Sequence, residues 1–146
     1  MESDRHTPTT QTRIVNSLER LDGVRGRKVL VRFAALAKNI SDALFYTRMI
    51  ELLAMYHQQR VRIDKIIATD RIPVAQTGNR RVVVMAPFDY FRWTTRGDGF
   101  VRDLDQQISR YGAYRELWVM GQVSAKSRKQ LGALGWAVFD QAATRI

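Results

Sequence analysis

Apolar and polar positions along this chain follow a helical period up to about residue 60 and an extended one after it. Ile14, Leu18 and Leu21 recur at helical spacing, which predicts a first helix over Thr10 to Leu21, stopped by Asp22-Gly23. Val29 to Ala37 carries both signals. VLVRF reads as a strand and RFAALAK as a helix, and the alanine-rich end favours the helix. The longest expected helix runs from Asp42 to Gln59, with Ser41 and Asp42 as capping candidates. Its Leu44, Phe45, Met49, Leu52, Leu53 and Tyr56 form a broad apolar face, which suits either the core or a partner helix.

Beyond residue 60 the pattern shortens. VRIDKII at 61–67 reads as a strand with Val61, Ile63 and Ile67 on one side. Arg71 to Phe88 reads as a β-hairpin. Its first strand, Ile72-Pro73-Val74-Ala75, is placed at a sheet edge by the proline, and Thr77-Gly78-Asn79 makes the turn. The return strand, Arg81 to Phe88, has the consecutive valines of a strand covered on both faces. An irregular segment, PFDYFRWTTRGDG, leads to a helix over Gly99 to Tyr111, with Phe100, Leu104 and Ile108 on one side.

The clearest unit is Glu116 to Asp140. Leu117 to Met120 is a buried strand ended by Gly121, Ser124 caps a short basic helix, Gly135 stops it, and Trp136 to Phe139 is the next strand. A helical crossover between two strands makes them parallel. The C-terminal half therefore reads β-α-β-α-β. The expected fold class is α/β: a small two- or three-layer open sheet with a parallel C-terminal core, an edge hairpin and N-terminal helices. Residues 1–9 are expected to form a disordered leader and 10–146 one domain. The Leu117–Phe139 unit has a Rossmann-like look, which many unrelated proteins share and which does not fix function.

Composition narrows the chemistry. At 146 residues and 45% hydrophobic content, the chain fits one domain with a real core. No apolar run approaches the ~18 residues of a membrane span, and MESDRHTPTT has no secretory h-region, so a cytoplasmic location is the default expectation. The chain has no cysteine, which excludes disulfides, thiolate zinc sites and cysteine nucleophiles. Its two histidines, His6 in the leader and His57 in a helix, are too few for a multi-histidine metal site. Neither a P-loop nor GxGxxG is present, so no nucleotide cofactor is implied.

Charge adds the main functional signal. The net charge is +10, with 14 basic against 8 acidic residues in 1–80 and 10 against 6 in 81–146, so the excess is spread along the chain. Only five of the 24 basic residues are lysine, and arginine suits bidentate phosphate and carboxylate contacts. Such a balance favours nucleic acid, an anionic membrane or an acidic partner. The bland alternative is that arginine richness follows base composition.

Ligands of open parallel sheets sit beyond the carboxyl ends of the strands. Here those ends supply Asp89 to Asp98, Gly121 to Ser124, and Asp140 onward. Gly121-Gln122-Val123-Ser124 delivers the chain to a helix N-terminus, with Lys126, Arg128 and Lys129 adding positive charge, as an anion site would. The structural alternative is a turn, a cap and a solvated basic face. In the aromatic segment, Arg92, Trp93 and Arg96 could clamp single-stranded nucleic acid by stacking and phosphate contacts, or could form an ordinary core edge with arginines reaching outward. Asp89 and Asp140 are the best carboxylate pair for a metal. Thr94, Thr95 and Ser124 are hydroxyls without an evident base.

The candidate nucleic-acid or anion-binding residues are therefore Arg92, Trp93, Arg96, Gly121, Ser124, Lys126, Arg128 and Lys129, with no catalytic residue, metal or cofactor assigned. The leading expectation is a non-enzymatic domain contacting nucleic acid through arginine-phosphate and aromatic contacts. The second is a protein-interaction or assembly module, including a homo-oligomer. The third is a small enzyme acting on a phosphorylated or nucleotide ligand at the Asp89/Ser124 edge.

Overall fold

Helix α1 (Pro8–Arg20) starts earlier than its apolar spacing suggests. Thr7 caps it by accepting from the Thr10 amide, and Pro8 fills a first-turn position where its missing N–H costs nothing. The computed structural model describes residues 6–146. Within it His6 is buried, with Nε2 donating to the Ala34 carbonyl at 2.8 Å. Residues 6–9 of the expected leader are thus tied to helical structure, and residues 1–5 lie outside the described residues.

Val29–Ala37 resolves as a helix, α2 (Arg27–Ala35). It follows Gly26, whose φ of 81° and close approach to the Ile66 carbonyl both require glycine. The long helix α3 (Ile40–Gln59) is capped by Asn39 and not by Ser41 or Asp42. Asn39 Oδ1 accepts from the Asp42 amide at 2.8 Å, which places Asp42 in the first turn, where its charge complements the helix dipole. Met49, Leu52, Leu53 and Tyr56 on the broad apolar face are buried within this chain, against α1 and the sheet.

The remaining elements are β1 (Ile63–Ala68), β2 (Pro73–Thr77), β3 (Arg81–Ala86), β4 (Tyr90–Phe91), α4 (Thr95–Ile108), β5 (Tyr114–Val119), β6 (Gln122–Val123), α5 (Ala125–Ala133), β7 (Trp136–Phe139) and α6 (Ala142–Arg145). Among the described residues this is a mixed α/β fold with six α-helices and a five-stranded mixed sheet in the order β1-β2-β3-β5-β7. The β1/β2 and β2/β3 pairs are antiparallel; β3/β5 and β5/β7 are parallel. The proline-bearing strand β2 is not at an edge, since β1 lies outside it. Pro73 is tolerated because it is the first residue of its strand, and the ladder to β3 begins only at Ala75.

Helices cover both faces of the sheet. Glu116 and Trp118 of β5 point towards α3, where the Tyr56 hydroxyl donates to Glu116 Oε1 at 3.0 Å, and Trp118 Nε1 donates to the same oxygen at 2.9 Å. Arg81 Nη1 completes the group, 3.0 Å from Glu116 Oε2. Burial, foremost, and the Glu116 carboxylate push the Tyr56 hydroxyl up to about 12, against a lowering contribution from Arg81. Arg115, one residue along the strand, faces the other way and pairs with Asp105 of α4 at 2.5 Å. Strand order never reverses across the sheet of the described residues, so it forms no switch-point crevice of the kind where doubly wound sheets bind nucleotides. No helix among the described residues is long and apolar enough to cross a membrane.

Candidate functional site

The segments following β3, β5 and β7 do converge. Main-chain bonds join them: Gly121 N to Phe88 O at 2.8 Å, Gln122 N to Asp89 O at 3.0 Å, Ser124 N to Phe91 O at 2.9 Å, and Gln141 N to Gly121 O at 2.8 Å. Two of these segments pair as the short parallel strands β4 and β6, absent from the simple alternation of strands and helices. Gly121 is required by the crowding at this junction. A Cβ there would lie 1.7 Å from the Asp89 carbonyl oxygen, an impossible approach.

This junction occupies several of the groups that an anion would need. The amides of Gly121, Gln122 and Ser124 all donate to the chain between Phe88 and Phe91. The Ser124 side chain accepts from the Ser127 amide at 3.1 Å and meets the Ser127 hydroxyl at 2.8 Å, so it caps α5. Arg128 reaches across to β7, bonding the Val138 carbonyl at 3.2 Å and Asp140 at 3.3 Å. Asp140 also holds Arg145 at 2.9 Å. Two guanidiniums on Asp140 leave it poorly suited to share a cation with Asp89. Among the described residues no group of three His, Asp or Glu side chains is placed to hold a metal.

Four of the predicted cations remain uncommitted. Arg92, Arg96, Lys126 and Lys129 are exposed and take part in none of the ion pairs of the described residues. Arg92 and Arg96 line a concavity of about 440 Å³ together with Tyr90, Phe88, Phe91 and Phe100. Trp93 and Lys126 line a second one, of about 490 Å³, with Thr95, Asp98 and Gln130. Thr94 borders both, and its hydroxyl caps α4 by accepting from the Gly97 amide at 3.0 Å. Extended backbone before the cap sends Arg92 and Trp93 to opposite sides. Lys129 lines neither hollow, but sits three residues from Lys126 on the same side of α5.

Aromatic surface accompanies these cations. Phe88 is 38% and Tyr90 56% exposed, high values for large rings. Both lie in the segment singled out from the sequence, though only its Arg92, Trp93 and Arg96 were chosen there. Arg71 also borders the first hollow, stacked over Phe100 and paired with Asp103 at 2.9 Å. No local pattern marks it, because it arrives from the turn before β2.

His57 does not serve these hydroxyls as a base. His57 Nδ1 accepts from the Ile63 amide at 2.9 Å, at the amino end of β1. β1 runs in the same sense as β3, so this is the end of the sheet opposite the site. Burial, foremost, and nearby Arg62 lower the His57 pKa, which keeps the ring neutral and accepting. Comparison of the chain with family models, with curated proteins and with solved structures finds no match.

Proposed function

We propose that this chain is a non-enzymatic nucleic-acid-binding domain, working through the edge formed by Tyr90 to Arg96 and the first turns of α5. One observation carries the reading. Arg92, Arg96, Lys126 and Lys129 stand on one edge in no ion pair of the described residues, interleaved with exposed aromatic rings, while nine arginines elsewhere hold a carboxylate. Unpaired guanidinium and ammonium groups attract phosphates, and Phe88, Tyr90 and Trp93 offer faces on which unpaired bases stack. Rings that splay from a loop suit single strands better than a stacked duplex.

Titration of a short oligonucleotide over a range of salt concentrations tests this. Four phosphate contacts predict a slope of about −3 in log affinity against log salt for a single strand. The variant with Arg92, Arg96, Lys126 and Lys129 all changed to Gln is expected to lose most of that slope. Absence of binding at ~50 mM salt, or a quadruple variant that binds like the parent, removes the proposal.

A further inference from the structure

A cavity of about 60 Å³ lies beneath the site, between the sheet and helices α4 and α5. Its walls are entirely apolar, among them Val84, Ala86, Leu104, Leu117, Leu131 and Trp136. Phe88, Phe91 and Phe100 line both this cavity and the arginine-bearing hollow above it. The same three rings therefore form the partition between an apolar interior and a positively charged mouth. Phe88 is itself partly exposed and packs at 6.1 Å from Phe91 and 5.5 Å from Phe45, centroid to centroid.

We infer that this pair of chambers is a binding site for a small amphipathic anion, specifically a straight-chain carboxylate. Arg92 and Arg96 hold the carboxylate at the mouth, and the alkyl end passes the phenylalanine rings into the cavity. Three features select this class. An apolar cavity stays dry and takes apolar guests. Its volume is well below the roughly 150 Å³ that admits a benzene ring, which favours an unbranched chain end over an aromatic one. The mouth carries two guanidiniums that form no ion pair with a carboxylate among the described residues, and guanidiniums recognise a carboxylate by paired hydrogen bonds. The inference does not depend on the nucleic-acid reading, although both use Arg92 and Arg96, so the two ligands should exclude each other.

The test is titration calorimetry of the whole chain with straight-chain carboxylates from butanoate to decanoate and the corresponding 1-alkanols. Affinity for carboxylates is expected to rise about fourfold per methylene and then level off once the cavity is full. Each alcohol should bind at least tenfold more weakly than the acid of equal length. Arg92→Gln with Arg96→Gln should erase that difference and leave the chain-length dependence in place. Ala86→Leu, which fills the cavity, should flatten the chain-length series; Val101→Leu serves the same purpose if the first variant fails to fold. The proposal is overturned by affinities independent of chain length, by alcohols that bind as well as acids, or by an arginine double variant that keeps the preference. None of these readouts involves an oligonucleotide, so failure here and failure of the nucleic-acid reading are separately visible.

Discussion

Gly121 and Gly99 differ in what a methyl group would meet, and that difference separates a junction from a helix surface. At Gly121 the added carbon would strike the Asp89 carbonyl, and β4 could no longer lie beside β6. Gly121→Ala is therefore expected to lower stability in urea denaturation by about 1–3 kcal/mol, the usual cost of overpacking, and to open the Phe88–Arg96 segment. At Gly99, within α4, nothing lies within 4 Å of the same carbon. Gly99→Ala should raise stability by about 0.5–1 kcal/mol through helix propensity alone. Ser124 calls for a different comparison. As a cap, Ser124→Ala should cost about 1 kcal/mol and change oligonucleotide affinity less than twofold. A tenfold affinity loss at unchanged stability would make it a contact instead. The cap was legible in the sequence, because a serine before a short helix needs only its next three residues. The reason for Gly121 was not, because Asp89 comes from a segment some thirty residues earlier in the chain.

At the scale of elements, helices with a wide apolar face were readable and two-residue strands were not. α3 sits close to where its periodicity places it and α5 where its cap does, since both signals are local. β4 and β6 are too short to show any alternation, and Pro73 misplaced β2 because strand order is set by partners. The buried tie between α3 and β5 is likewise non-local, joining Tyr56 to Glu116 across sixty positions. It has a measurable consequence at alkaline pH. The Tyr56 hydroxyl is held neutral up to about 12 in the fold, against 10.0 for the unperturbed side chain. Between those values the unfolded chain gives up a proton that the folded chain keeps, so the unfolded state binds fewer protons and stability falls as pH rises. The stabilisation is complete below pH ~10 and is lost progressively towards the folded value. Tyr56→Phe is expected to lower stability at pH 7 by about 1 kcal/mol through the lost hydrogen bond, and to make the decline between pH 10 and 12 shallower than in the parent. Denaturation midpoints at four or five pH values in both proteins would show it, and parallel declines would contradict it.

For the whole molecule, a net charge of +10 favours an anionic partner and is silent on where one would bind. The excess of basic residues is spread along the sequence, and folding sorts it by giving carboxylates to some arginines and withholding them from others. Arg13, Arg25, Arg71, Arg81, Arg102, Arg115 and Arg128 each find an acid, mostly from distant segments, so no window of sequence could reveal which cations stay unpaired. Two of the sets that remain lie on different parts of the surface. One is Arg92, Arg96, Lys126 and Lys129 at the carboxyl ends of the parallel strands. The other includes Lys28 and Arg32, one turn apart on α2, which packs over β1 and β2. Only the first set is interleaved with exposed aromatic rings. A matched pair of charge removals decides between a localised interface and general attraction to a basic protein. Removing Arg92 and Arg96 should reduce the single-strand salt slope by about 1.4, two phosphate contacts' worth, and weaken binding at every salt concentration. Removing Lys28 and Arg32 takes away the same charge. Beyond a Debye length of ~8 Å in physiological salt it should leave the slope unchanged and slow association only at low salt. Equal effects from the two pairs would mean that the molecule attracts nucleic acid through its net charge alone, with no interface at the Tyr90–Arg96 edge.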